Sequence, residues 1–295
     1  MVLPLSFELC PLSFAAEGDA VIRSRAGVSD IVITSTARFA GAIHSVTWNG
    51  KEFIDSTDHG RQLQSAINCD LGTPIIAETF NPTEAGSRLD GAGPKSSSRL
   101  LRLIAKSNVL QTTTQMAFWL APGEKSEGDP AKNTTILSDH VVTKRVEIGW
   151  RGMHHVIRYD VTFGLPVGER HNESVFEAVT GYMPAEFSRF LKFNPASGEL
   201  EPLEAGNGEQ NFPVVLATEN GGHAMGIFSP EAGPRYGRFR FSEASVVKWN
   251  CVFRRRDPAY GVTPGDYAFR QFVIVGDLVA VRDSLRALHR EFAAR

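Results

Sequence analysis

From about residue 30 to about residue 275 the chain is built of short runs in which apolar and polar residues alternate or β-branched residues dominate. Gly, Pro, Asn and Asp punctuate these runs at short intervals. A period of two is the mark of a strand with one buried face. The pattern predicts strands over Asp30 to Ser35, Ala42 to Trp48, Lys51 to Ile54, Arg61 to Ile67, Leu110 to Trp119 and Leu137 to Ile148. It continues with Val156 to Phe163, Glu173 to Val179, Pro213 to Thr218, Ala224 to Phe228, Ser245 to Phe253 and Tyr267 to Val275. Asn49-Gly50 sits between two such runs, and this pair suits a tight hairpin because both turn residues must take positive φ. Helical spacing is confined to the C-terminus, where Leu278, Val281, Leu285, Leu288 and Phe292 recur every three or four residues after a Gly276-Asp277 cap. Strands in succession with one terminal helix predict a mostly β protein: a single domain over residues 1–295, folded as a large antiparallel β-sandwich with a short helix as a structural lid. Two segments read as long loops, 68–98 and 122–133, the second as a mobile connection.

Composition narrows the function classes. Thirty-one basic residues against 33 acidic ones give a net charge of −2. Such a balance argues against a nucleic-acid partner, which requires a basic surface. The one basic run, Arg254-Arg255-Arg256, precedes Asp257-Pro258 and reads as a solvated edge. Three separated cysteines, Cys10, Cys69 and Cys251, form no CxxC pair. No HxH or HExxH spacing occurs either, so neither a metal nor another cofactor is expected. No stretch is long enough to span a membrane. The first 14 residues lack a basic start and an uninterrupted apolar run. The expectation is a cytoplasmic protein, with an extracytoplasmic one still compatible if a leader has been removed.

The segment from Gly41 to Ile54, GAIHSVTWNGKEFI, resembles the opening hairpin of the galactose mutarotase-like group. Asp58-His59-Gly60-Arg61-Gln62 matches the sugar-meeting arginine segment that follows it in that group, and GGHAMGIFSP resembles a later strand. The resemblance covers roughly a quarter of the chain. It implies a β-supersandwich with a sugar site on the concave face of one sheet, and a carbohydrate or uronate as the small-molecule partner. The chain has no histidine in the mutarotase aromatic-Asn context and no late glutamate on an "IEP"-like strand. Activity therefore has to be argued from the residues themselves.

Candidate chemistry falls in four regions. Around position 60, His59 is a candidate acid or base, with Arg61, Gln62 and Gln64 as hydroxyl or carboxylate binders. The loop Asn81 to Arg88 combines Glu84 as an acid or base with Asn81 and Arg88 as binding groups. His171 precedes a strand that carries Glu177 among apolar residues and leads to Tyr182. A half-buried carboxylate and a histidine near acidic residues both suit proton transfer. On the last region, alternation places Trp249, Cys251 and Phe253 in the core and turns Lys248 and Asn250 to the opposite face. Aromatic residues Trp119, Tyr236 and Phe239 flank these regions and suit either core packing or stacking on a sugar.

Nucleophile elbows and phosphate-binding glycine loops are absent. The expectation is a carbohydrate-active enzyme using acid/base chemistry in a concave sheet pocket, as an epimerase, a lyase or a hydrolase. The alternatives are a non-catalytic carbohydrate-binding protein and a purely structural module.

Overall fold

The computed structural model describes residues 17–293 except 73, 242, 244 and 258. The N-terminal segment with Cys10 lies outside the described residues. Among the described residues nineteen strands hydrogen-bond into one continuous antiparallel system, which folds over into two layers. The first layer runs Ala20–Ala26, Ser29–Ser35, Ile43–Trp48, Leu63–Cys69, Glu173–Pro184, Val246–Arg256, Arg235–Phe241, Gly208–Gln210. The second runs Arg99–Lys106, Val109–Phe118, Leu137–Trp150, Met153–Leu165, Gly265–Gly276, Ala224–Phe228, Val214–Ala217, Arg189–Asn194, Glu199–Pro202. The two-residue strand Pro82–Thr83 pairs with Leu63–Cys69 on one side and Val109–Phe118 on the other, and so joins the layers.

Between the layers lies the core that alternation predicts. Phe176 and Phe253 of the first layer meet Phe163 and Phe269 of the second at centroid separations of 4.5–5.4 Å. Asn49 and Gly50 take φ of 49° and 73°, and Trp48 pairs with Lys51 across the expected tight turn. The C-terminal helix Leu278–Ala293 begins with Asp277 accepting from the Ala280 amide at 2.7 Å, a side-chain cap that satisfies a free helix donor. Its buried stripe Val281, Leu285 and Leu288 covers the outer face of the second layer against Val156, Phe272 and Ile274. Among the described residues no helix is long and apolar enough to cross a membrane.

Besides the two-residue strands Pro82–Thr83, Lys125–Ser126 and Asp129–Pro130, six longer strands are not marked by the sequence pattern: Ala20–Ala26, Arg99–Lys106, Arg189–Asn194, Glu199–Pro202, Gly208–Gln210 and Arg235–Phe241. Several of them are rich in Arg, Lys or Glu and show little apolar alternation, which hides them. The loop 68–98 is not a surface excursion. Residues 79–87 are buried because this segment threads between the layers as their bridge. The stretch 122–133 holds a small hairpin, Lys125–Ser126 paired with Asp129–Pro130. The Arg254–Arg256 run is exposed, as expected, and ends a strand.

Leu285 is wholly buried between the helix and the second layer. Leu285→Ala is expected to lower unfolding free energy by about 3 kcal/mol in urea titrations. A loss under about 1 kcal/mol would contradict the docking of the helix.

Candidate functional site

Three adjacent strands of the first layer present a polar face away from the core. On Leu63–Cys69 the inward positions are Leu63, Ser65, Ile67 and Cys69, leaving Gln64, Ala66 and Asn68 outward. On Val246–Arg256 the inward set includes Val247, Trp249, Cys251 and Phe253, and Lys248 and Asn250 point outward, as the alternation predicts. Between them, Glu173–Pro184 carries an irregularity. Its register slips against both neighbours just after Glu177. Phe176, Ala178, Val179 and Met183 are all buried, while Val175, Glu177, Thr180 and Tyr182 face outward. An extra residue in one strand reverses which parity points to which face. Glu177 and Tyr182, which strict alternation would set on opposite faces, therefore share one.

This outward face is the floor of a cavity of about 630 Å³. Walls come from Ile75, Ala77 and Glu78 after the first strand, from Asn81, Thr83 and Trp119 at the bridge, from Glu127 of the small hairpin, and from Phe239 and Phe241. Gly60 borders the Trp119 ring so closely that a Cβ there would stand 2.7 Å from the indole. Gly181 similarly makes room on the core side for Trp249.

On the floor, Glu177 is held from two sides. Lys248 Nζ lies 3.1 Å from Oε1 and 3.4 Å from Oε2, and Asn250 Nδ2 donates to Oε1 at 2.8 Å. Asn250 uses its other end as well, with Oδ1 accepting from the Gly237 amide at 3.0 Å. Burial works against the Lys248 charge, yet the neighbouring Glu177 carboxylate more than offsets it and raises the ammonium above its ordinary range. Lys248 also lies 5.0 Å and 5.3 Å from the Tyr182 and Phe239 ring centroids, within cation–π range. Burial raises the Tyr182 phenol, which stays protonated. A carboxylate, a phenol and an amide over aromatic walls can bind a polyhydroxylated ring and move protons on it.

Of the expected site residues, Gln64, Asn81, Glu177, Tyr182 and Lys248 line this cavity, and Asn250 supports it. The others sit elsewhere. His59 is buried with Nδ1 at 2.8 Å from the Gly91 carbonyl and Nε2 at 2.9 Å from the Arg38 carbonyl, which makes it a clamp between loops. Arg61 pairs with Asp58 at 3.0 Å, and Gln62 donates to the Asp58 carbonyl. Arg88 is partly exposed and bound to Glu124 at 3.1 Å. Glu84 lies inside the sandwich with no exposure, in contact with Lys144 and accepting from the Ser65 amide at 3.1 Å. Beside it stand Tyr159 and Ser65, joined at 3.1 Å. Glu84 is not the expected acid or base of the site, because the loop that carries it bridges the layers and seals it away from the cavity.

His171 is buried away from the cavity floor, in a cluster that sequence spacing does not reveal. Ligand atoms of Cys69, His140 and His171 fall within 4.8 Å of one another. Burial pushes the Cys69 thiol up to about 12 and the His140 imidazole down to about 4. Burial also opposes charge on His171, but hydrogen bonds to Glu169 and Asp70 outweigh it and raise that group. Asn68 also lines the cavity, and its place in the sequence marks it, since it continues the two-residue period from Gln64. Glu78 and Glu127 lie on loops, where no periodicity marks them.

No family model matches the chain, and no curated protein matches it in sequence. Solved structures match it in shape. A candidate aldose 1-epimerase from Escherichia coli K12 superposes with a TM-score of 0.51 at 9% identity, over 88% of this chain and 100% of that one. A protein from Synechocystis sp. PCC 6803 gives 0.49 at 8% identity, over 91% and 100%. An α-galactosidase from Lactobacillus brevis gives 0.48 at 9% identity, and this chain covers 40% of its length. At this identity the likeness is one of fold, a large antiparallel β-sandwich shared with that epimerase candidate, and it agrees with the fold that the opening hairpin implied.

The sealed Glu84–Lys144 pair generates a stability test. Removing one partner strands a buried charge. Lys144→Met is expected to cost about 3–5 kcal/mol in chemical unfolding, with most of it recovered in Lys144→Met/Glu84→Gln. Recovery of less than about 1 kcal/mol would contradict a structural role for Glu84.

Proposed function

We propose that the cavity binds a neutral sugar and that Glu177 moves protons on it, in a reaction of the aldose 1-epimerase type. The observation that carries this reading is the Glu177 carboxylate fixed by Lys248 and Asn250 on the floor of a cavity with an aromatic wall. Trp119, Tyr182 and Phe239 offer faces to the apolar side of a pyranose ring. Gln64, Asn68, Asn81 and Thr180 supply donors and acceptors for its hydroxyls.

Charge favours a neutral sugar over a uronate. Lys248 is the one cationic side chain among the described lining residues, and Glu177 already neutralises it. Glu78 and Glu127 add negative charge at the rim. A uronate would meet repulsion here, and a lyase also needs an unengaged cation against the substrate carboxylate. Anomer interconversion asks for less. Glu177 takes the proton of the anomeric hydroxyl, and Tyr182, still protonated, gives one to the ring oxygen as the bond from that oxygen to the anomeric carbon breaks. Rotation of the aldehyde and the reverse transfers close the ring as the other anomer. Lys248 stays charged throughout and stabilises the oxyanion character that develops.

The test is the rate at which a pure aldose anomer equilibrates, followed by proton NMR with and without protein. Glu177→Gln is expected to lower that rate about 10²–10⁴-fold and to leave sugar affinity within about tenfold. Trp119→Ala is expected to weaken sugar binding about tenfold at a nearly unchanged maximal rate. A Glu177→Gln protein that binds sugar and shows no rate difference from an equally slow wild type would identify a carbohydrate-binding protein instead.

A further inference from the structure

On the inward side of the strands that floor the cavity, the two layers meet at a polar knot. Cys69 ends the strand Leu63–Cys69, and His171 stands just before Glu173–Pro184, both in the first layer; His140 belongs to Leu137–Trp150 in the second. All three side chains are buried, and their ligand atoms lie within 4.8 Å of one another. Glu169 reaches in from a loop, with Oε2 3.2 Å from Nε2 of both His140 and His171.

Hydrogen bonding leaves this knot incomplete. His140 has no exposed surface, and neither of its ring nitrogens has a hydrogen-bond partner. Glu169 is near its Nε2 by distance but not in hydrogen-bonding geometry. A buried polar group with no partner carries a desolvation cost of about 1–3 kcal/mol. His171 Nδ1 lies 2.5 Å from the Asp70 carbonyl, an acceptor, so Nδ1 carries a proton, while Nε2 faces Glu169 Oε2 at 3.2 Å, a contact that a bound metal would replace. That outer contact, an imidazole N–H on a backbone carbonyl, is the one that orients metal-bound histidines. Ser174 Oγ donates to Cys69 Sγ at 3.2 Å, a contact that a metal-bound sulfur would keep.

We propose that Cys69 Sγ, His140 Nε2, His171 Nε2 and Glu169 Oε2 bind one divalent zinc ion, which staples the two layers. Four protein donors of mixed N, S and O type fit closed tetrahedral zinc. Tetrahedral zinc sets donor pairs about 3.3–3.8 Å apart, so the Cys69, His140 and His171 ligand atoms, within 4.8 Å of one another, would close by up to about 1.5 Å on binding. One thiolate and one carboxylate neutralise the dication, so the filled site buries no net charge. Binding replaces the S–H bond of Cys69 with an S–Zn bond and displaces the proton between His171 Nε2 and Glu169 Oε2, and both protons go to solvent. Glu169 keeps part of its side chain exposed and marks the entry side. Because the ligands come from both layers, occupancy stabilises their pairing. The site is independent of the sugar reading.

Cobalt(II) titration of the full-length chain, stripped of metal beforehand, tests this. The wild type is expected to take up about one equivalent and to show sulfur-to-cobalt charge transfer with intense tetrahedral d–d bands. Zinc is expected to abolish these bands and to raise the melting temperature. Cys69→Ser and His140→Gln are each expected to lose the charge-transfer band while keeping the far-ultraviolet circular dichroism of the wild type. Absence of the band in the wild type, or its survival in either folded variant, overturns the proposal. Should those variants not fold, Cys10→Ser/Cys251→Ala leaves Cys69 as the sole thiol. Persistence of the band there supports the site, and its loss overturns it.

Discussion

The register slip after Glu177 is the constraint on which the candidate site depends. Glu173–Pro184 is the middle of three strands, and its neighbours fix both faces. Up to Glu177 the odd positions look outward, and from Thr180 the even ones do. One extra residue, placed where Ala178 and Val179 are both buried, makes that exchange. Without it, either Glu177 or Tyr182 would be driven into a core already filled by Phe176, Met183 and Trp249. A close-packed core would reject either. The bulge thus preserves an apolar inner face and a polar outer face on one continuous strand.

Two lysine–glutamate pairs show how the same chemistry serves different ends. Glu84–Lys144 is sealed between the layers, beside Tyr159 and Ser65. A buried pair of this kind adds little stability over apolar packing but punishes the loss of one member. It suits the bridge Pro82–Thr83, where a misplaced register would separate the two charges. Glu177–Lys248 opens to the cavity, and its carboxylate remains half-buried and within reach of a ligand. Asn250, anchored by the Gly237 amide, sets the orientation of that carboxylate before any ligand arrives. Groups fixed in advance spend no reorganisation energy at the moment of reaction.

What alternation encodes was legible in the sequence: the Asn49-Gly50 hairpin, the inward Trp249, Cys251 and Phe253 against the outward Lys248 and Asn250, and the apolar stripe of the terminal helix. These depend on neighbours a few residues apart. The bulge was not legible, because an extra residue leaves no mark when apolar side chains flank it on both sides. Nor was the burial of Glu84, since a polar loop that bridges two layers has the composition of a polar loop in solvent. His59 looked catalytic through its proximity to Arg61 in sequence, whereas carbonyl oxygens claim both of its ring nitrogens. Cys69, His140 and His171 are separated by dozens of residues and converge only because two layers close on each other.

The central claim is that the outward face of these three strands is a sugar-binding floor with Glu177 at its centre. A crystal structure of the wild-type chain soaked with an aldose tests it most directly. The account predicts a pyranose ring lying against Trp119, with a hydroxyl in hydrogen-bond contact with Glu177. A sugar bound on any other surface, or a cavity still without sugar at saturating concentration, would contradict it.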